Sequence, residues 1–258
     1  MKSVFYGIVS AFSMFSRIPM PRIEWNDRTR RLTLAFFPLV GAVIGAALCG
    51  LYYLCAFLGV NALFFASFAV FVSAFITGGI HLDGYCDTCD SLAAHTDREC
   101  RMRIMKDHHI GAFSATALML VLILQLGAWS ELYSFGALIP CAALIFVFSR
   151  ALAGVSLLRC GSADPEGLGA AFKVSAARGT LPALFAVIAV ITVFAAFVSF
   201  PAGPAVPVVA LAVYFFFIRL TARKFGGISG DLAGYLITLS ETACLVLLAA
   251  SAAVFRVV

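Results

Sequence analysis

Apolar residues in this chain run continuously in stretches of about 20 residues, the length a helix needs to cross a hydrocarbon core. Seven such runs stand out: Leu34 to Leu58, Val60 to Ile80, Gly111 to Tyr133, Gly136 to Leu158, Leu181 to Phe200, Ala205 to Ala222 and Leu232 to Val254. A segment apolar on every side has no aqueous face, and only helices or closed barrels satisfy their backbone in lipid. The predicted architecture is therefore an all-α, polytopic membrane bundle of about seven transmembrane helices, forming one domain over residues 1–258. A shorter apolar segment, Val4 to Phe15, is followed by Arg17-Ile-Pro-Met-Pro rather than by a small-residue cleavage site. It reads as an interfacial or re-entrant helix ended by Pro19 and Pro21, not as a cleaved signal.

The polar residues between these runs are one-sided. Basic residues precede the first run (Lys2, Arg17, Arg22, Arg28, Arg30, Arg31) and follow the second (Arg98, Arg101, Arg103, Lys106), the fourth (Arg159, Lys173, Arg178) and the sixth (Arg223, Lys224). The opposite connections, 59–61, 131–135 and 201–204, carry no Lys or Arg, and only Arg256 breaks the pattern. The positive-inside rule then predicts cytoplasmic basic loops, an internal amino terminus and an external carboxyl terminus. Composition agrees: 62% hydrophobic residues, 12% charged and a mean hydropathy of +1.02. Topology alone accounts for the net charge of +5, and without an aromatic-interleaved basic tract no nucleic-acid partner is expected. The lipid bilayer is.

All the long polar loops, about 81–110, 159–180 and 225–231, fall on the basic side, so any catalytic face lies there. The first holds the run Gly-Gly-Ile-His-Leu-Asp-Gly-Tyr-Cys-Asp-Thr-Cys-Asp from Gly78 to Asp90. Asp83, Asp87 and Asp90 share one helical face at offsets of four and three residues. Such a face suits a hard divalent cation, and His81 stands beside it as a candidate base. Downstream, Thr96 and Glu99 match a capping box opening a helix through about Asp107. On that helix Arg101, Arg103 and Lys106 are candidate phosphate contacts, with Asp107 adjacent.

The second loop offers Gly167 and Gly169 after Asp164-Pro165-Glu166; the third offers Gly226, Gly227 and Gly230 before Asp231. These glycines allow backbone to approach a ligand, and Asp231 serves either as a helix cap or as a further metal ligand. Arg150 and Glu241 lie inside apolar runs at similar depth. They form either a buried pair or the lining of a polar substrate cavity. Cys86-x-x-Cys89, with His95, Cys100, His108 and His109 nearby, invites a zinc reading, but it lacks a second pair and is interleaved with hard-metal carboxylates. No disulfides are expected on a reducing face.

His81-Leu82-Asp83-Gly84-x-x-Asp87-x-x-Asp90, followed by Arg103-Ile-Met-Lys-Asp107 and Ile110-Gly-Ala-Phe113, resembles the signature of the cobalamin synthases, the adenosylcobinamide-GDP ribazoletransferases. The resemblance extends to Phe15-Ser-Arg17-Ile-Pro19, Pro38-Leu-Val-Gly41, Glu166-Gly-Leu-Gly169 with Phe172, and Gly226-Gly227-x-x-Gly230-Asp231 with Glu241. It implies Mg2+-dependent transfer of phosphocobinamide from adenosylcobinamide-GDP to α-ribazole or its 5′-phosphate, with release of GMP. With this chemistry in view, Asp83, Asp87 and Asp90 are the expected metal ligands and catalytic carboxylates, with Asp231 as a candidate fourth ligand, while Arg17, Arg101, Arg103, Lys106, Asp107, Arg150, Glu241 and the loop glycines are expected to face substrate. Cys86, Cys89, His108 and His109 depart from the family pattern.

Two rival enzymes use similar chemistry. A CDP-alcohol phosphotransferase would show Ala-Arg after Asp83-Gly84 and a later paired-aspartate motif, and an intramembrane prenyltransferase would show two aspartate-rich motifs; the chain has neither. An ion transporter, the reading from another class, would place its acids near the midplane and often show repeats.

Overall fold

The computed structural model describes residues 2–107, 109–200 and 202–257, with side chains to Val254. His108, Pro201 and the Arg256 side chain lie outside the described residues. The described residues form twelve α-helices and one short 3-10 turn. Helix α1 (Lys2–Phe15) and the single turn α2 (Asp27–Arg30) precede the first span, α3 (Thr33–Leu58). Then come α4 (Ala62–Thr77), α5 (Ile80–Ala93), α6 (Arg98–Ile104), α7 (Ala112–Tyr133), α8 (Ile139–Arg159), α9 (Leu168–Ser175), α10 (Thr180–Val198), α11 (Ala205–Lys224) and α12 (Gly230–Val257).

Six of these helices are long and apolar enough to cross a membrane: α3, α7, α8 (with its preceding turn), α10, α11 and α12. The second expected span is shorter than its apolar run implied. Helix α4 stops at Thr77, and α5 continues after a bend of 92°. Gly78 and Gly79 make the bend, with φ of +67° and +80°, a region closed to most side chains. The bend directs the acidic helix away from the α4 axis and lays it along the start of α12. Large side chains such as Phe57, Phe71, Phe75, Val190 and Phe197 stay exposed on the bundle's outside, as a lipid-facing surface requires.

The core is centred on α8, the most enclosed span. Gly41 and Gly45 of α3 set the closest crossing, because a Cβ on either would strike the backbone of Phe146 or Ala143 in α8. Helices without a hydrophobic force between them associate through such small-residue contacts. Trp129, Phe146, Phe65 and Leu248 fill the layer beyond.

Within the same core Arg150 and Glu241 pair with each other, and Ser149 Oγ donates to Glu241 Oε1 at 2.9 Å. The space beside them measures about 20 Å3, room for roughly one water. The alternative of a substrate cavity at Arg150 and Glu241 is therefore corrected: the charges are spent on one another and on bundle backbone.

Contacts at the two ends fix the order of crossings. At one end the Tyr133 hydroxyl donates to Val60 O at 2.9 Å, joining the first and second short connections to one layer. At the other, Ala177 N donates to Arg31 O at 2.9 Å. There Ser162 and Ile228 form a parallel bridge, with Ile228 N donating to Gly161 O at 2.8 Å and Ala163 N to Ile228 O at 3.0 Å. All three long polar loops thus meet at a single end. Helix α1 packs on the start of α3 at that end, its Gly7 against Leu32 and Phe36.

The expected capping box shifts by one residue. Asp97, not Thr96, caps α6 by accepting from Cys100 N at 2.8 Å, and the helix ends at Ile104 instead of reaching Asp107. Asp is the more favoured N-cap and its negative charge suits a helix amino end.

Candidate active site

The acidic helix α5 packs along α12 through Gly84 and Gly234. A Cβ on Gly84 would meet the backbone of Asp231 at 2.6 to 3.0 Å, and one on Gly234 would meet His81 O at 3.1 Å. Tyr85 stacks on Tyr235 with ring centroids 5.3 Å apart. This close approach brings Asp231 beside Asp83 and Asp87, residues almost 150 positions away in the chain. They line one cleft with Lys106, Asp107 and His109.

The sequence left Asp231 either as a cap or as a ligand. Ser229 takes the capping place, its Oγ accepting from Leu232 N at 3.2 Å, so the Asp231 carboxylate is left for the cleft.

Asp87 feels the cluster most. Burial pushes its carboxyl up to about 7, with Asp83, Asp231 and Asp90 adding like-charge repulsion. Asp90 behaves oppositely. Burial works to raise it, but hydrogen bonds from the Ser114 hydroxyl and from Gly111 and Ser114 backbone outweigh that and hold it below the usual carboxylate range. Those bonds measure 2.6, 2.7 and 2.9 Å. Asp90 thus caps the first turn of α7 and ties α5 to it, and it is not among the residues that line the cleft. Asp90→Ala should lower the unfolding midpoint by an amount equivalent to about 1–2 kcal/mol, while leaving the Mg2+ concentration for half-maximal turnover unchanged; thermal melts and a Mg2+ titration check both.

The basic residues divide in the same way. Arg101 is buried, and its Nη1 donates to Ser91 O at 2.8 Å and Leu92 O at 3.4 Å. Its expected phosphate contact is corrected to a clasp between α6 and the end of α5. Arg103 is exposed. Lys106 reaches across to the second loop, where its Nζ lies 3.2 Å from Asp164 Oδ2. The Asp107 carboxylate accepts from His109 N at 3.1 Å. Arg17 lies away from the cleft, its guanidinium 5.6 Å from the Phe75 ring centre and its N donating to Ile76 O at 2.8 Å. It pins the segment after α1 to the α4 end instead of facing substrate.

The loop glycines bring backbones together. Gly227 faces the backbone of Gly161 and Ala163, while Gly226, at φ +71°, lies against the Arg98 guanidinium. Gly169 approaches the amide of Gly230. Gly167 and Gly169 also line a second cavity with Gly230, of about 250 Å3, walled by Met14, Phe15, Phe37, Leu157, Phe172 and Ile237. His81 lines it too, buried and with no partner for Nε2. Asp231 borders both cavity and cleft, and the Lys106–Asp164 pair spans them. Motif reading missed Met14, Phe37 and Leu157, which look like ordinary span residues; only their convergence distinguishes them.

Among the described residues no three His, Cys, Asp or Glu side chains converge closely enough to hold an ion by themselves. All eight cysteines are free; Cys86 is buried and Cys89 half-buried.

A helical bundle with about seven crossings, whose polar end joins an acid-lined cleft to an aromatic cavity, defines a polytopic membrane protein with a two-compartment site. The sequence profile of the family described as cobalamin-5-phosphate synthase matches residues 7–249, and the chain belongs to that family. Its relatives include adenosylcobinamide-GDP ribazoletransferases of Lachnoclostridium phytofermentans (34% identical, covering 90% of this chain and 88% of the relative) and Geobacillus thermodenitrificans (31%, 94% of each). Another, from Clostridium perfringens, is 29% identical over 96% of this chain and 99% of its own. No solved structure matches the chain.

Proposed function

We propose that the chain transfers phosphocobinamide from adenosylcobinamide-GDP to α-ribazole or its 5′-phosphate, releasing GMP at the cytoplasmic face of a bacterial inner membrane. Family membership over nearly the whole chain supports the reaction. The observation that carries its location is the meeting of acidic cleft and aromatic cavity at Asp231. The one-sided basic loops support the orientation, amino terminus in and carboxyl terminus out.

Mg2+ fits the cleft as a loosely held ion. It is usually bound by one or two carboxylates together with substrate phosphates, not by an all-protein cage. Asp83 and Asp87 supply hard oxygen donors, and Asp87 retains its proton first because it is partly buried and then because of the negative charge of Asp83, Asp231 and Asp90, the part a cation would relieve. When bound there, the ion would neutralise charge on the diphosphate and on the departing GMP.

The chain's own groups position the two substrates. Lys106 and Arg103 meet phosphate oxygens, and the glycine-lined loops admit the acceptor. A ribose hydroxyl attacks the phosphorus next to the cobinamide arm, the bond to the GMP oxygen breaks, and the hydroxyl proton passes to Asp231 at the junction. Purified protein given adenosylcobinamide-GDP, α-ribazole and Mg2+ should form GMP and a cobamide in equal amounts; neither product appearing in active lipid would overturn the reading.

Proton and cation compete at Asp87. Its carboxyl, raised to about 7, must deprotonate to bind metal, so apparent Mg2+ affinity should weaken as pH falls from about 8 to 6. Mg2+ titrations of GMP release at each pH measure this, and a midpoint independent of pH would remove Asp87 from the ion.

A further inference from the structure

The aromatic cavity has walls unlike those of the cleft. Phe15 lies 4.0 Å from Phe37 and 6.0 Å from Phe172, centre to centre, and the His81 ring lies 5.8 Å from Phe37 and 6.4 Å from Phe15. Four rings from four separate segments thus converge, with Leu157 and Ile237 completing the wall. The polar side chains are four: Asp164, held by Lys106, Asp231, which also borders the cleft, Ser229, whose hydroxyl is engaged by Leu232 N, and His81. The buried His81 Nε2 has no partner within the protein, which is uncommon for a buried polar atom.

We propose that this cavity binds the heteroaromatic base of the acceptor nucleoside, an inference that rests on the transfer reaction proposed above. Size selects among the parts of the two substrates. At about 250 Å3 the space falls just below the roughly 300–1,000 Å3 of drug-sized pockets; it suits one two-ring base and excludes a corrin macrocycle. Chemistry selects between the two bases. Guanine carries donors and acceptors around both rings, and those facing the three phenylalanine rings, Leu157 and Ile237 would be left unpaired at a cost, whatever Asp164, Asp231, Ser229 and His81 paired on the remaining side. The methylated benzimidazole of α-ribazole is apolar around its carbocycle and stacks on aromatic rings. Placement agrees as well. A base seated here puts its ribose toward Asp231, where the cavity opens on the cleft.

The walls are then specificity-determining. Ala233 is buried and lines the cavity, so Ala233→Leu narrows it. The enzyme's preference for α-ribazole over the riboside of unmethylated benzimidazole, measured as a ratio of kcat/KM values, should fall about tenfold, the scale of small apolar groups in an apolar pocket. KM for adenosylcobinamide-GDP should stay within about twofold. An equal loss for both nucleosides, or a rise in KM for adenosylcobinamide-GDP in place of a selectivity change, would overturn the assignment, the second outcome pointing to guanine.

Should Ala233→Leu not fold, Phe172→Leu removes one wall ring and should weaken α-ribazole binding about tenfold by calorimetry, with no corrinoid present; an unchanged Kd would overturn the assignment. Wild-type protein that binds α-ribazole but releases no GMP would sink the proposed reaction while leaving the cavity's occupant standing. Wild-type protein that releases GMP but shows equal kcat/KM for methylated and unmethylated nucleosides would sink the cavity assignment alone.

Discussion

Asp83→Asn should reduce GMP release at least about 10³-fold at saturating substrates while the protein still inserts, purifies and melts normally. Asp83 is exposed on α5, lines the cleft with Asp87 and Asp231, and has no structural hydrogen bond to lose. Its contribution is charge at the place where diphosphate and cation meet. Loss of that charge removes several kcal/mol of transition-state stabilisation, and asparagine keeps the shape. The contrast with Asp90→Ala is informative because the two residues share a helical face. One should fail in chemistry at constant stability, the other in stability at constant metal dependence. Normal turnover by Asp83→Asn would refute the assignment of cation and diphosphate to this cleft.

The second large effect concerns the buried charges. Arg150→Met leaves Glu241 without its partner among α8 and α12, and breaking a buried pair from one side costs about 3–5 kcal/mol. A thermal melt in detergent should therefore shift down sharply. The double variant Arg150→Met with Glu241→Leu removes both charges and should regain most of the loss, since well-packed apolar replacements of a buried pair are often neutral or stabilising. It should also release GMP within a few-fold of wild type. A double variant that is stable yet inactive would return Arg150 and Glu241 to the substrate. The pairing already weighs against an ion path through the bundle, because both charges on that path are engaged with each other and with Ser149.

Relatives that cover 90–96% of the chain and name one activity raise the question of why a nucleotide-transfer step sits in a bilayer. The cavity offers a partial answer in geometry. Of its four rings only Phe37 comes from a candidate span, near the start of α3, and Phe15 comes from the apolar helix α1 beside it, so the aromatic cavity lies where the apolar bundle meets its polar end.

The sequence by itself determined the class of fold. Continuous apolar runs permit only helices, and the one-sided placement of Lys and Arg divides the connections into a polar end and a bare one. It also singled out Asp83, Asp87 and Asp90 as candidates for chemistry, because three carboxylates on one helical face at a span end repel one another unless something compensates them, and it left Asp231 open between a cap and a ligand. Spacing could not separate Asp90 from its neighbours, nor Arg101 from Lys106. Each pair looks alike along a helix, and what distinguishes its members is a partner from elsewhere: the start of α7 for Asp90, the carbonyls of Ser91 and Leu92 for Arg101, the second loop for Lys106.

Tertiary structure alone decided the rest. The bend at Gly78 and Gly79 is local, but its consequence, α5 laid along α12, depends on Gly84 and Gly234 allowing two backbones to touch. The aromatic cavity was invisible in the chain because Phe15, Phe37 and Phe172 are common residues in apolar segments. Hydrophobic patterning records that a side chain leaves water; it carries no information about which other side chains it meets.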